Sequence, residues 1–171
     1  MMRRISLLAL MATSVLLAGC GSGMVRRVSD PAVSVQQLTV KADGQWVVEL
    51  RLQNYSSIPM RFDAVKVEVR VGDQTAGTLQ ATPGLSVGPE SADVVTVPFA
   101  PSSEARIVVA DALAGRRGLP YALKGSADAT PEDAKVRSFD IDTRNTLNPV
   151  PGLDGVLRCA ALLCPTSRDP A

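Results

Sequence analysis

Histidine is missing altogether from the 171 residues, and cysteine occurs only three times. Without imidazole there is no His-ligated metal centre and no Ser-His or Cys-His nucleophile pair, so the common hydrolase routes are closed. Aromatic residues make up only 4% of the chain, so Val, Leu and Ala have to fill any core. An excess of one charge is missing too. The 18 Lys and Arg stand against 17 Asp and Glu, and nucleic-acid binding, which wants a basic face, is not expected.

Long apolar runs are confined to the amino terminus. Arg3 and Arg4 precede an almost wholly apolar stretch from Ile5 to Leu17, and the small pair Ala18 and Gly19 comes next. That is the layout of a secretory signal, too short to span a bilayer comfortably. Leu17-Ala18-Gly19-Cys20 is similar to a bacterial lipobox, in which the chain is cut between Gly19 and Cys20 and the sulfur is acylated. Several acyl chains make such an attachment effectively permanent, where one alone holds only marginally. Gly21 rather than Asp after the cysteine points, by similarity to Gram-negative sorting rules, to the outer membrane with the protein facing the periplasm. The chain then divides into a signal peptide over 1–19, a flexible tether over 20–31, a β domain over 32–143 and an irregular tail over 144–171. Arg26 and Arg27 read as solvated charges of the tether, too few to argue for headgroup binding.

Beyond the tether the chain alternates. In WVVELRLQ (46–53), Trp46, Val48, Leu50 and Leu52 share one face. In AVKVEVRV (64–71), Val65, Val67, Val69 and Val71 do the same. A period of two rich in β-branched residues predicts half-buried antiparallel strands. VSVQQLTV (33–40) changes phase at Gln36-Gln37, which predicts a bulge. Further strands are expected near 78–81, 92–99, 119–126 and 135–142, with 72–77 as a turn and PGLSVGPE (83–90) as loop. Pro98 has no N–H to give a ladder, so it marks an edge or a strand end. SEARIVVADALA (103–114) instead repeats Ala105, Val108, Val109, Ala112 and Leu113 at helical spacing. Ser102 or Ser103 is its cap and Gly115 its left-handed end. About seven strands in direct succession with one helix predict a mainly β fold, a two-sheet antiparallel sandwich of immunoglobulin-like or fibronectin-like type.

The order of these elements resembles the late-embryogenesis-abundant type 2 family, whose domain is also called the water-stress and hypersensitive-response (WHy) domain. The residues that carry the likeness are LRLQNYSSIPMRFDAVKVEVRVGDQTAGTL, VVTVPF and LPYALKG, within Val33 to Ile141. The family's loop usually reads Asn-Pro-Asn; here it is Asn54-Tyr55-Ser56, keeping the Asn and losing the Pro. The resemblance implies a stress-associated binding or protective module with no established catalytic site. Asn54 itself reads as a structural turn, since its side chain can bond its own backbone two residues on.

Three places remain for chemistry. Cys159 and Cys164 suit a disulfide in an oxidising compartment, if the chain turns between them; two free thiols are the alternative. Metal binding by two sulfurs without His lacks the other ligands of a zinc site. Asp140 and Asp142 share a strand face, with Asp154 as a third carboxylate that could approach. The ordinary reading is a wet edge kept negative against sheet pairing, rather than calcium binding or acid–base work. The tail 145–165 mixes Pro and Gly with Val156, Leu157, Leu162 and Leu163, and is expected to fold back over a sheet edge. The expected protein is therefore a membrane-anchored, non-enzymatic lipoprotein without a cofactor, acting in desiccation or envelope stress. The alternative is an accessory subunit of an envelope transport or secretion assembly, with another envelope protein as partner.

Overall fold

Alternation of buried and exposed residues runs through almost every strand of the computed structural model, which describes residues 26–159. Nine strands form among the described residues: β1 (Ala32–Val40), β2 (Trp46–Gln53), β3 (Met60–Val71), β4 (Gln74–Ala81), β5 (Leu85–Val87), β6 (Ala92–Phe99), β7 (Leu119–Pro131), β8 (Arg137–Pro149) and β9 (Val156–Cys159). One helix, α1 (Ser103–Ala114), separates β6 from β7. All pairings are antiparallel, in the order β4-β3-β7-β8-β9-β1-β2-β6, with β5 following β4 along the same edge of β3.

The expected two-sheet sandwich of about seven strands is corrected to one nine-stranded sheet, curled nearly into a barrel. The difference is carried by β9. Without it, β4-β3-β7-β8 and β1-β2-β6 would be separate sheets, the sandwich that the alternation predicted. The breakers Pro149, Pro151, Gly152 and Gly155 do end β8, but they then return the chain. Val150 N–H donates to Val156 O across this turn, and β9 slots between β8 and β1. The tail read as irregular from residue 144 thus carries the end of β8 and all of β9. At the other margin the sheet stays unzipped. β4 and β6 are joined by Ser102, whose N–H donates to Ala76 O and whose hydroxyl donates to Thr75 O.

The packing keeps the period of two. Trp46, Val48, Leu50 and Leu52 are buried from β2, and Val65, Val67, Val69 and Val71 from β3. They join one core with Phe62, Leu79, Leu119, Leu123, Leu147 and Leu157. Each buried aliphatic side chain contributes roughly 1.5–3 kcal/mol over leaving it exposed. The phase change in β1 is a register shift between Val35 and Gln37. β6 ends the strand order, and Pro98 stands one residue from the end of that strand, so both placements open to it are met.

The helix forms as its spacing predicts, with the Ser102 side chain accepting from Ala105 N–H and with Ala105, Val109 and Ala112 buried. Its end differs. Gly115 stays right-handed (φ −80°), and Arg116 takes the left-handed position (φ 50°). Arg117 N–H reaches Ala112 O and Arg116 N–H reaches Leu113 O, a Schellman closure with Arg where Gly is usual.

Strand directions define two ends. Residues 26–31, the 54–59 loop, the 82–91 segment and the β7–β8 turn lie at one. The β1–β2 and β3–β4 turns, α1 and the 150–155 turn lie at the other. Gly44 stands beside the Arg106 side chain and Gly72 beside Val108, which fixes α1 over that second end.

Candidate functional site

β8 is thirteen residues long but meets β9 only at Leu147–Pro149. Its other side pairs with β7 from Arg137 to Leu147. No described strand pairs with Arg137–Thr146 on the β9 side, and this bare edge faces the start of β1. Between them lies a groove of ≈ 500 Å³, lined by Asp30, Pro31 and Ala32 and by β8 from Arg137 to Arg144.

Ladder alternation fixes which groups look into it. Val150 N–H bonds Val156 O across the β8–β9 junction. Counting back by twos, the backbone groups of Arg144, Asp142, Asp140 and Ser138 point toward the groove. Thr146 points the same way, and its N–H is taken up by the adjacent Asn145 Oδ1 at 2.7 Å. Side chains of Phe139 and Ile141 turn into the core, while Asp140, Asp142 and Arg144 are exposed.

The facing edge of β1 is closed by side chains. Tyr121 on β7 reaches across the interior, and its hydroxyl oxygen accepts from Val35 N–H at 3.1 Å. The same hydroxyl sits 3.5 Å from Val35 O, to which it donates. Thr143 Oγ1 donates to Val33 O at 2.8 Å. Tyr121 thus replaces one residue of a missing strand. Burial raises its pKa from 10.0 to about 12, partly offset by the Val35 backbone bond, so the phenol stays neutral and able to donate. Sequence reasoning passed over this residue; the available signal was a phenol on an alternating apolar strand, which needs a polar partner when buried.

The other expected sites take separate places. Asn54 is fully buried, at 0% exposure. Its Nδ2 donates to Ile58 O, Val87 O and Gly88 O, and its Oδ1 accepts from Ser56 N–H. It is therefore the knot that ties the 54–59 loop to the segment after β5. Asp140 and Asp142 lie on the exposed face of β8, with Arg144 3.6 Å from Asp142. Asp154 lies in the 150–155 turn at the other end, so the three carboxylates are not brought together. Among the described residues no group of three His, Cys, Asp or Glu could hold a metal ion. Cys159 ends β9, buried and in a disulfide. Its expected partner Cys164, the lipobox with Gly19 and Cys20, and the signal peptide lie outside the described residues. No helix among those described is long and apolar enough to cross a membrane.

The expected tether is shorter than its composition implied. Arg26 pairs with Asp133 at 3.2 Å and donates to Glu132 O. Arg27 pairs with Glu90 at 3.1 Å and donates to Tyr55 O. Ser57 N–H bonds Arg27 O, and Ser29 N–H bonds Ser56 Oγ. Residues 26–29 are thus laid along the Asn54 loop as part of the domain.

The family model of late embryogenesis abundant proteins (LEA_2) matches residues 49–144, more than half of the chain. The chain belongs to this family. LEA_2 membership points to a stress-related and, as a rule, non-enzymatic protein. Among solved structures, it is similar to an Arabidopsis thaliana protein studied in solution, at 12% identity over 73% of this chain and 82% of that one, TM-score 0.46. A solution structure of a protein assigned to the late embryogenesis abundant group matches at 13% identity over 86% of each chain, TM-score 0.46. A crystal structure of a protein from Archaeoglobus fulgidus matches at 12% identity over 70% of this chain and 97% of that one, TM-score 0.34. No curated protein matches.

Proposed function

We propose that this LEA_2 chain is an envelope lipoprotein with a WHy-like domain. In this reading Cys20 carries acyl chains after cleavage behind Gly19, in an outer membrane facing the periplasm. The domain binds or shields extended segments of other envelope components under desiccation or envelope stress, without turnover. The binding half rests on one observation, the unpaired β8 edge. A bare strand edge is a template for an added strand, with main-chain bonds supplying affinity and little demand on sequence. Such tolerance suits a protective protein that meets many partners. The lipid half is supported by the order of charges, apolar run, small residues and cysteine at the amino terminus.

Asp142→Pro tests the binding half. Asp142 N–H faces the groove, so proline removes a template donor and leaves the β7 ladder bonds in place. The wild-type protein is expected to suppress light scattering from a reduced, aggregating protein, and Asp142→Pro to lose most of that protection. Equal suppression by both would remove the edge from the mechanism. Cys20→Ser tests the lipid half: the protein should move from the membrane pellet to the soluble fraction, and the mature wild-type terminus should carry lipid mass. The same edge also fits the second reading, an accessory subunit of a transport or secretion assembly. One stoichiometric envelope partner, recovered from detergent extracts with the wild type and lost with Asp142→Pro, would favour it.

A further inference from the structure

We infer that the end of the barrel built from the 54–59 loop, the 82–91 segment and the β7–β8 turn faces the lipid bilayer, and that α1 and the 150–155 turn face away. This orientation rests on the proposed acylation of Cys20 and adds to it a direction.

Reach decides between the two ends. Arg26 is fixed to the β7–β8 turn through Asp133 and the Glu132 carbonyl, and Arg27 to Glu90 and the Asn54 loop. Only six residue steps lie between Cys20 and Arg26, and a fully extended chain of that length spans at most ~22 Å. An inverted molecule would need more. β2 alone, seven residue steps from Trp46 at one end to Gln53 at the other, rises about 23 Å. Tilted some 40° to the barrel axis, as strands in barrels are, it still covers ~18 Å. The thickness of α1 adds ~10 Å. Arg26 would then stand ~28 Å above the bilayer, beyond the tether's limit. Had residues 26–31 been free, the chain could have reached; pinning Arg26 and Arg27 removes that freedom.

The chemistry of this end agrees with an anchor that acts through lipid rather than charge. Arg26 and Arg27 are spent on Glu132, Asp133 and Glu90. Val28 and Val136 are the large apolar residues exposed there, Val136 at 61%. The groove beside Asp30–Ala32 and the start of β8 opens near the same end, so the template edge stands within the interfacial layer over the bilayer.

The test uses the full lipidated chain in vesicles that contain a lipid-attached fluorescence quencher. Single reporters are placed at Val136→Cys and, on α1, at Ile107→Cys, both already exposed and without a core role; Val28→Cys is the spare for the near end. The expected result is loss of emission at positions 136 and 28 and none at 107. Equal loss at both ends, or greater loss at 107, overturns the orientation. Protein that fails to pellet with the vesicles at all overturns the acylation on which it rests, and that outcome is distinct because no reporter is quenched. Ten Gly/Ser residues inserted after Ser22 should abolish the difference between the ends. An unchanged difference would show that tether length does not set the direction, and would overturn the inference.

Discussion

The two strand edges that look at one another across the groove have been finished differently. β1 has side chains on its edge: the Tyr121 hydroxyl takes both Val35 N–H and Val35 O, Thr143 donates to Val33 O, and Pro31 supplies no N–H at all. Among the described residues nothing covers β8 in this way between Ser138 and Arg144, where the charges of Asp140, Asp142 and Arg144 stand beside the edge. A curled sheet can therefore be closed by hydroxyls where a strand is absent, and closing one edge leaves the other as a directional template. The same asymmetry leaves Val33 and Val35 buried beside an incomplete ladder. Tyr121 spans the gap with an apolar ring and puts its one polar atom where β1 needs it.

Tyr121→Phe breaks the comparison most severely. It keeps the ring and strands both Val35 groups, and each buried unsatisfied polar group costs about 1–3 kcal/mol. We expect a loss of about 2–4 kcal/mol in denaturant unfolding, with faster amide exchange at Val35. The same residue sets an alkaline limit. In the unfolded chain the phenol ionises near 10, in the folded protein near 12. The folded state thus holds its proton longer, and the stability this represents is fully present below pH 10 and lost as pH rises toward 12. Two pKa units correspond to about 3 kcal/mol. Stability measured from about pH 9 to 12 should fall in the wild type and lose this component in Tyr121→Phe.

How far the sequence foretold this depends on whether a feature is local. β2, β3, β6 and α1 were legible because their signals lie in one short window: alternating valines, a serine cap, a proline that cannot donate. The bulge at Gln36 showed as a slip in phase. β5 and β9 were not legible. Leu85–Val87 is three residues in a run of Gly and Pro, and Val156–Cys159 is four in a tail of breakers. Such short strands exist only because β3, and then β8 and β1, offer them ladders. The closing role of Tyr121 is likewise set by the 86 residues that separate it from Val35. Arg26 and Arg27 read as linker charges because their partners, Glu90, Glu132 and Asp133, are distant in sequence. The groove is legible only in part: the alternation put Asp140 and Asp142 on a wet edge, but not which edge, nor what faces it.

Thr143→Val sharpens the contrast at smaller cost. It is nearly isosteric and removes the donor to Val33 O, so a loss of about 1 kcal/mol is expected. The loss should stay local, with amide protection at Val35 unchanged, since the Tyr121 bonds to Val35 remain. If Thr143→Val cost as much as Tyr121→Phe, the two hydroxyls would be acting as one cooperative seam rather than as separate plugs.

The smallest effect on stability, and the one that speaks most directly to the open edge, is expected from Asp140→Thr with Asp142→Thr. Both side chains are solvent-exposed on β8, and threonine suits a strand, so the melting temperature should hardly move. What should change is association. Two like-charged carboxylates beside an unpaired backbone disfavour pairing with a second copy, because antiparallel β8 edges would bring four of them together. Without them the edge keeps its donors and acceptors and loses its repulsion. Sedimentation should then show concentration-dependent dimers that the wild type lacks. Asp140→Thr combined with Asp142→Pro should return the monomer, because the dimer needs the N–H at position 142 and not merely a neutral surface. Dimers that persist with proline there would mean that association uses another face, and that the unpaired stretch of β8 is shielded in a way its ladder does not reveal.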